Sequence, residues 1–414
     1  MRVTHLLVVL APCLLCACIG GGKGTATNTV PPTPTVNTLA VVVDAGPPGV
    51  GAVNRPYVTV KVCVPGSTTC ANIDHVLLDT GSWGLRLVRS VLTAGGVTLT
   101  PSTDAQGQII EECASFVGGE IWGPVALADV TLAGEVAAKL PVQVMDDTNT
   151  NAAPPTTCGP NGSVHNGVLD HASNGILGVG VFVQDCGAAC VSPTTPLDIY
   201  FGCTTAGVCT AENLALTGQV TNPVAMFAAD NNGVIVSLPN LQNANGDLSV
   251  TGQLIFGLGT QTDNALPATG LTVLGADTTT GDFTATYNGG TTALPALIDS
   301  GTDDYYFADP NMLTCTATPP NNAAWVGYYC PAVAPQSVFA VNTGVGANNA
   351  TNTVQFAIAD PNSFVATATA FINLGGGQGT TRFTWGLPFF YGRKVYVGIE
   401  AKASGTYTGP YYAY

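Results

Sequence analysis

Asp79-Thr80-Gly81-Ser82 and Asp299-Ser300-Gly301-Thr302 write one pattern twice: acid, hydroxyl, glycine, hydroxyl. Each follows a short apolar run that reads as a buried strand, Val76-Leu77-Leu78 before the first and Ala296-Leu297-Ile298 before the second. A turn of this kind holds a carboxylate at a tight bend. The glycine lets the backbone fold back closely, and the hydroxyls can donate to the carboxylate oxygens. Two such turns in one chain supply the pair of carboxylates that share a proton in acid–base hydrolysis. The chemistry to expect is acid–base hydrolysis by Asp79 and Asp299 acting as a pair.

The flanking segments repeat as well. Tyr57 to Val64 alternates as a strand, Pro65-Gly66-Ser67 turns it, and Ile73 to Leu78 returns to Asp79. In the second half Phe283 to Tyr287 runs into Asn288-Gly289-Gly290, and Ala296 to Ile298 returns to Asp299. Each acidic turn is followed much later by an apolar-glycine element, Gly175-Ile176-Leu177-Gly178 in one half and Trp385-Gly386-Leu387-Pro388-Phe389-Phe390 in the other. A duplication on this scale predicts two similar lobes, each giving one Asp, over residues 51–220 and 221–414. Near the boundary, Ala211 to Val220 reads as a short helix. Val224 to Phe227 and Val234 to Val236 read as strands around an Asp230-Asn231-Asn232-Gly233 hairpin turn, and Gly252 to Gly257 as a further strand.

Composition agrees. A chain of 414 residues exceeds one ordinary core, and with 46% hydrophobic and 9% charged residues it is globular rather than disordered. Fifty Gly and 28 Pro, with abundant Thr and Val, favour short strands and many turns, so the fold class is all-β. A net charge of −15 excludes a nucleic-acid partner, which would need a basic surface. Met1-Arg2 followed by Leu6 to Leu10 has the charged start and short apolar stretch of an export signal over 1–17. Leu15-Cys16-Ala17-Cys18 resembles a bacterial lipoprotein cleavage box with Cys18 as the acylated residue. A short membrane anchor is the weaker alternative, because the apolar stretch is below spanning length. Residues 18–50, rich in Gly, Thr and Pro, then form a flexible tether to the lipid.

Of the 13 Cys, Cys13, Cys16 and Cys18 belong to this leader. The remaining ten are an even number in an exported chain, which implies disulfides. Short spacings suggest Cys63–Cys70, Cys186–Cys190, Cys203–Cys209 and Cys315–Cys330, leaving Cys113–Cys158. No pair has the two-residue spacing of a zinc ribbon, so no metal is expected.

With these motifs in place, the chain resembles the bilobal pepsin-like aspartic peptidases over most of residues 55–400. The resemblance implies a cleft between two β lobes and no cofactor. Asp79 and Asp299 would be the catalytic pair, Thr80 and Ser300 would cross-link the two turns, and Ser82 and Thr302 would sit beside the carboxylates. It also implies a mobile flap hairpin at Phe116-Val117-Gly118-Gly119-Glu120-Ile121-Trp122-Gly123, with Phe116, Gly118, Gly119 and Trp122 facing substrate. That family usually has Tyr where Phe116 stands, and Trp122 would be the substitute donor. Trp83 departs from the common pattern and reads as core. The lipoprotein box together with Gly-Leu-Pro-Phe-Phe-Tyr-Gly-Arg at 386–393 resembles a Gram-negative lipoprotein family of unknown function.

Other candidates carry less. His75 lies on the strand before Asp79 and reads as a packed histidine, and His165 and His171 have no helix-spaced carboxylate. Asp146-Asp147 with Asn149 and Asn151 reads as a solvated loop ahead of a calcium site. The expectation is therefore a monomeric, lipid-anchored endopeptidase of the bacterial cell envelope, acting on polypeptide. Ile19 after Cys18 places it at the outer membrane, facing the periplasm or the outside. The alternative is a catalytically silent pepsin-like binding or adhesion module.

Overall fold

The computed structural model describes residues 37–159, 162–317 and 323–414. The export signal, Cys18 and the first part of the tether lie outside them. The described chain is all-β, with only short helices. Its first half contributes β1 (Thr38–Val43), β2 (Pro56–Cys63), β3 (Cys70–Asp79), β4 (Trp83–Val88), β5 (Ile109–Phe116), β6 (Gly119–Leu132), β7 (Glu135–Met145) and β8 (Gly175–Val179). Alternation in β2 puts Val58, Val60 and Val62 inside and Thr59 and Lys61 outside, as a sheet with one solvated face requires. By contrast, β8 is buried along its whole length, because it runs between β3 and β4.

The two halves repeat one local scheme. In the first, β3 runs parallel to β8 with Asp79 opposite Gly178, and β4 returns antiparallel to β8. In the second, Ala293–Ile298 runs parallel to Phe383–Trp385, and Tyr305–Tyr306 returns antiparallel to that same strand. The apolar-glycine elements noted in the sequence are therefore the strands laid between the incoming and outgoing arms of each acidic turn. Their glycines are steric necessities. A Cβ on Gly178 would sit 2.6 Å from the Trp83 backbone, and one on Gly386 would collide with the Asp304 carbonyl.

One continuous core joins the halves, holding Leu78 and Leu177 together with Ile298 and Trp385. The second half fills its share with rings, among them Phe307 stacked on Phe383 at 5.4 Å. The sheets do not divide where the lobes were expected to. Beyond residue 220, strands Gly233–Ser237, Val250–Phe256 and Lys394–Gly398 extend the first sheet through β1, and a separate seven-stranded sheet carries Asp299.

Several expectations are corrected. The tether does not reach residue 50: β1 pairs with Val250–Phe256 along its length and with β2 at Val42 and Val43, and Val41 and Val43 are fully buried. Residues 211–220 hold a 3-10 turn at Leu216–Gly218 instead of a helix. Pro223–Met226 is also a 3-10 turn, initiated by the Asn222 side chain accepting from the Val224 N–H, so the hairpin around Asp230 is not formed. Asp146 is buried, accepts from the Asn151 N–H and pairs with Arg89 at 2.9 Å, which makes it a structural latch, not a solvated loop.

All five disulfides suggested by spacing are present. Cys113–Cys158 closes the longest interval, 45 residues, and ties β5 to the loop beyond β7. Loop-closure entropy scales with that interval, so the Cys113→Ser/Cys158→Ser double variant should lose about 4 kcal/mol of stability. The equivalent change at Cys186 and Cys190, separated by 4 residues, should lose about 2 kcal/mol. Guanidinium unfolding curves check the order; equal or reversed losses would contradict it.

Candidate active site

The two acidic turns meet at the floor of a cleft of about 1120 Å3. Each turn organises its own carboxylate in the same way. Asp79 Oδ1 accepts from the Gly81 N–H at 2.8 Å and Oδ2 from the Ser82 hydroxyl at 2.5 Å. Asp299 Oδ1 accepts from the Gly301 N–H at 2.7 Å and Oδ2 from the Thr302 hydroxyl at 2.7 Å. The chain thus supplies two carboxylates with matched donor sets, as the repeated motif predicts.

The turns are then bolted to each other. Thr80 Oγ1 donates to the Ile298 carbonyl at 2.9 Å and accepts from the Ser300 N–H at 2.9 Å. Ser300 Oγ donates to the Leu78 carbonyl at 2.6 Å and accepts from the Thr80 N–H at 3.1 Å. Both side chains are fully buried, so these four bonds have no competition from water. The glycines complete the approach. A Cβ on Gly81 would collide with the Asp299 carboxyl carbon, and one on Gly301 would lie 2.9 Å from that of Asp79. Each glycine is the space into which the opposite carboxyl fits.

Burial, then the charge of Asp299 and the hydrogen bond the two carboxyls share, push Asp79 up to about 8; the Ser82 and Gly81 donors pull the other way. The pair therefore keeps a proton through neutral pH. Tyr412, near the end of the chain, also lines the cleft. Burial raises its hydroxyl far above the ordinary range, helped by the negative charges of Asp299, Asp282 and Asp79. It stays a neutral phenol there, and no spacing in the sequence announces it.

The flap is present as the β5–β6 hairpin, with Phe116 paired to Gly119 and Val117 at 95% exposure on its tip. Phe116 and Gly118 line the cleft. Gly119 sits at φ +125° against the His165 ring, a packing role beside its place in the turn. Trp122 is not a cleft residue. Its ring is buried in a small core with Phe201, and its indole N–H donates to the Ala152 carbonyl at 2.8 Å. Trp83 packs its ring edge-on against Phe182 at 4.8 Å and still contributes to the cleft wall. Missed by motif reasoning is a buried ionic group beside Asp79, made by Arg86, Glu112 and Asp185. Its signal in the sequence was charge inside apolar strands, Leu85-Arg86-Leu87 and Ile110-Glu111-Glu112.

Two stability measurements check this geometry. Ser300→Ala strands the Leu78 carbonyl and the Thr80 N–H in the core and should cost about 2–4 kcal/mol. Asp79 has its folded pKa raised above its unfolded value, so its contribution is intact below about pH 4 and is lost as pH rises to about 8. Asp79→Asn should therefore raise the melting temperature at pH 7 and leave it nearly unchanged at pH 3. A variant less stable than the native protein at pH 7 would contradict the assigned burial cost.

No curated protein matches the chain. Among solved structures, the aspartic proteinase from Irpex lacteus is similar at 15% identity and a TM-score of 0.49, with 91% of this chain and 96% of that chain covered. The family model described as "Protein of unknown function (DUF3443)" matches residues 33–414, and the chain belongs to that family.

Proposed function

We propose that the protein is an aspartic endopeptidase that hydrolyses peptide bonds with Asp79 and Asp299. The observation that carries this reading is the pair itself: a buried Asp79 carboxyl and a half-buried Asp299 carboxyl, sharing a hydrogen bond, at the floor of a cleft of about 1120 Å3. Two carboxyls so close hold one proton between them. The ionised member takes a proton from a water held between the two, and the resulting hydroxide attacks the scissile carbonyl carbon. The protonated member donates to the carbonyl oxygen, giving a neutral tetrahedral diol. Return of a proton to the amide nitrogen then breaks the C–N bond and releases acid and amine, with the dyad again singly protonated. Because the roles exchange during one turnover, acid and base are properties of the pair.

The donors around each carboxylate explain why the pair is built as it is. The Ser82 and Thr302 hydroxyls and the Gly81 and Gly301 N–H groups fix both oxygens of each acid, so the carboxyl planes are set before substrate arrives. The β5–β6 hairpin supplies the mobile cover. Export to the cell envelope, with a lipid on Cys18, is part of the same proposal and is supported by the five disulfides, which persist in an oxidising compartment.

Purified protein should cleave an unfolded polypeptide such as reduced casein in acid. The rate should fall as pH rises through about 8, where Asp79 gives up its proton. Asp79→Asn and Asp299→Asn should each lower kcat by about a hundred- to ten-thousandfold. Cleavage that survives both substitutions overturns the assignment. Peptide binding without any cleavage by the native protein would favour the silent binding module, a reading that rests on Phe116 bringing no hydroxyl to the flap.

A further inference from the structure

Arg86, Glu112 and Asp185 line the cleft on the Asp79 side, where binding pockets are mostly apolar. Arg86 and Glu112 are almost completely buried. Arg86 Nη2 donates to Glu112 Oε1 at 2.6 Å and to Asp185 Oδ2 at 2.9 Å, and Nη1 donates to the Trp83 carbonyl at 2.9 Å. Asp185 Oδ1 accepts from the Tyr200 hydroxyl at 2.5 Å, which in turn accepts from the Val220 N–H. The Phe116 ring, at the base of the flap tip, lies 5.4 Å from the guanidinium. Flap, active-site strand and buried charge therefore meet at one place.

The charges do not balance. One guanidinium faces two carboxylates, and Glu112 Oε2 is buried with no donor from the protein. A buried carboxylate oxygen left without a donor is costly. Burial, followed by the negative charge of Asp185 and a hydrogen bond between the two acids, holds Glu112 far above the usual carboxylate range despite the opposing pull of Arg86. A proton shared between Glu112 and Asp185 thus occupies the place where an external N–H donor would go. Among the described residues, no other cleft arginine is left open to an anion. Arg55 is taken by the Gly301 carbonyl and Arg382 by Asp282, while burial holds Asp304, on the Asp299 side, far above the usual carboxylate range.

We infer that this cluster is the recognition subsite for a cationic side chain, lysine or arginine, of the polypeptide bound beneath the flap, with Glu112 Oε2 accepting its N–H. On binding, the shared proton leaves to solvent and the substrate cation takes its place, so charge is conserved at the site. The inference rests on the peptidase reading for the identity of the ligand, but it can be read out by binding alone. Glu112 is a specificity residue: it touches the substrate side chain and not the reacting atoms.

The test uses the native protein and a pair of non-cleavable peptides with one reduced amide. The two peptides are identical except for lysine or norleucine at the residues flanking that amide. The lysine peptide should bind about ten- to a hundredfold more tightly, the range of a charge-assisted hydrogen bond in a buried site. Glu112→Gln should bring the two affinities within about threefold, chiefly by weakening the lysine peptide. Equal or tighter binding of the norleucine peptide to the native protein overturns the inference, as does a lysine preference that persists in Glu112→Gln or a failure of both peptides to bind. Cleavage of ordinary substrates without this preference would sink the subsite and leave the peptidase standing. The preference without any cleavage would do the reverse.

Discussion

The reciprocal hydrogen bonds between Thr80 and Ser300 are the constraint on which the rest of the molecule depends. They join residues 220 positions apart and lie directly beneath the two carboxyls. Two full charges about 4 Å apart would repel by about 4 kcal/mol at an effective dielectric of 20. Four buried hydrogen bonds at about 1 kcal/mol each are of the same size. The cross-link alone would therefore barely hold two ionised acids together. Retention of a proton removes most of the repulsion, and a core shared by both halves supplies the remaining rigidity. Structure and chemistry are thus coupled at the same atoms: the state that relieves the strain is the state able to act as acid and base.

The duplicated turns sit in unequal surroundings. In the first half the outgoing strand, β4, is six residues long and leads into the Arg86 cluster, and the flap overhangs it. In the second half the outgoing strand is only Tyr305–Tyr306, and the space behind Asp299 is filled by packed rings such as Phe307, Phe383 and Trp385. Both halves keep the same glycine against the acidic loop, because neither can admit a Cβ there. Common geometry is therefore confined to the turn and its two flanking strands. The first half thus brings buried charge and the flap to the cleft wall, and the second brings Tyr306, Tyr328 and Tyr412.

What could be read from residues alone was what is local. The acidic turns, the strands entering them and the close glycines follow from short-range rules, and the cysteine pairings came mostly from short spacings. What escaped was long-range. Thr38–Val43 looks like tether because Pro and Thr crowd the preceding stretch, and only its pairing with Val250–Phe256 makes it a strand. Val224 was read as strand from its apolar neighbours, yet Asn222 caps a 3-10 turn there, local chemistry overriding pattern. The family resemblance points to Trp122 as the flap donor in place of the missing Tyr hydroxyl. In a hairpin, side chains alternate between faces, and its face is the one covered by the Cys113–Cys158 loop.

Scarcity of charge gives the remaining ionic groups their meaning. With only 9% of residues charged, an arginine buried beside two acids is not a by-product of a polar surface. A hydrophobic trio of the same volume would have packed without desolvating three charges, and such replacements are often stabilising. The network joins β4 to β5 and, through Asp185, to Tyr200 and the Val220 N–H, while β4 is also held by β7 and β8. Its position explains what it serves. It hydrogen-bonds the Trp83 carbonyl, lies under the Phe116 ring and shares the cleft wall with Ser82 and Asp79. An apolar side chain there would leave the two acids dependent on their shared proton, whereas a cation would give Glu112 Oε2 a donor of its own. Asp79, by contrast, is pushed up by its own burial and by Asp299, so the proton on the pair is held by the two acidic turns themselves.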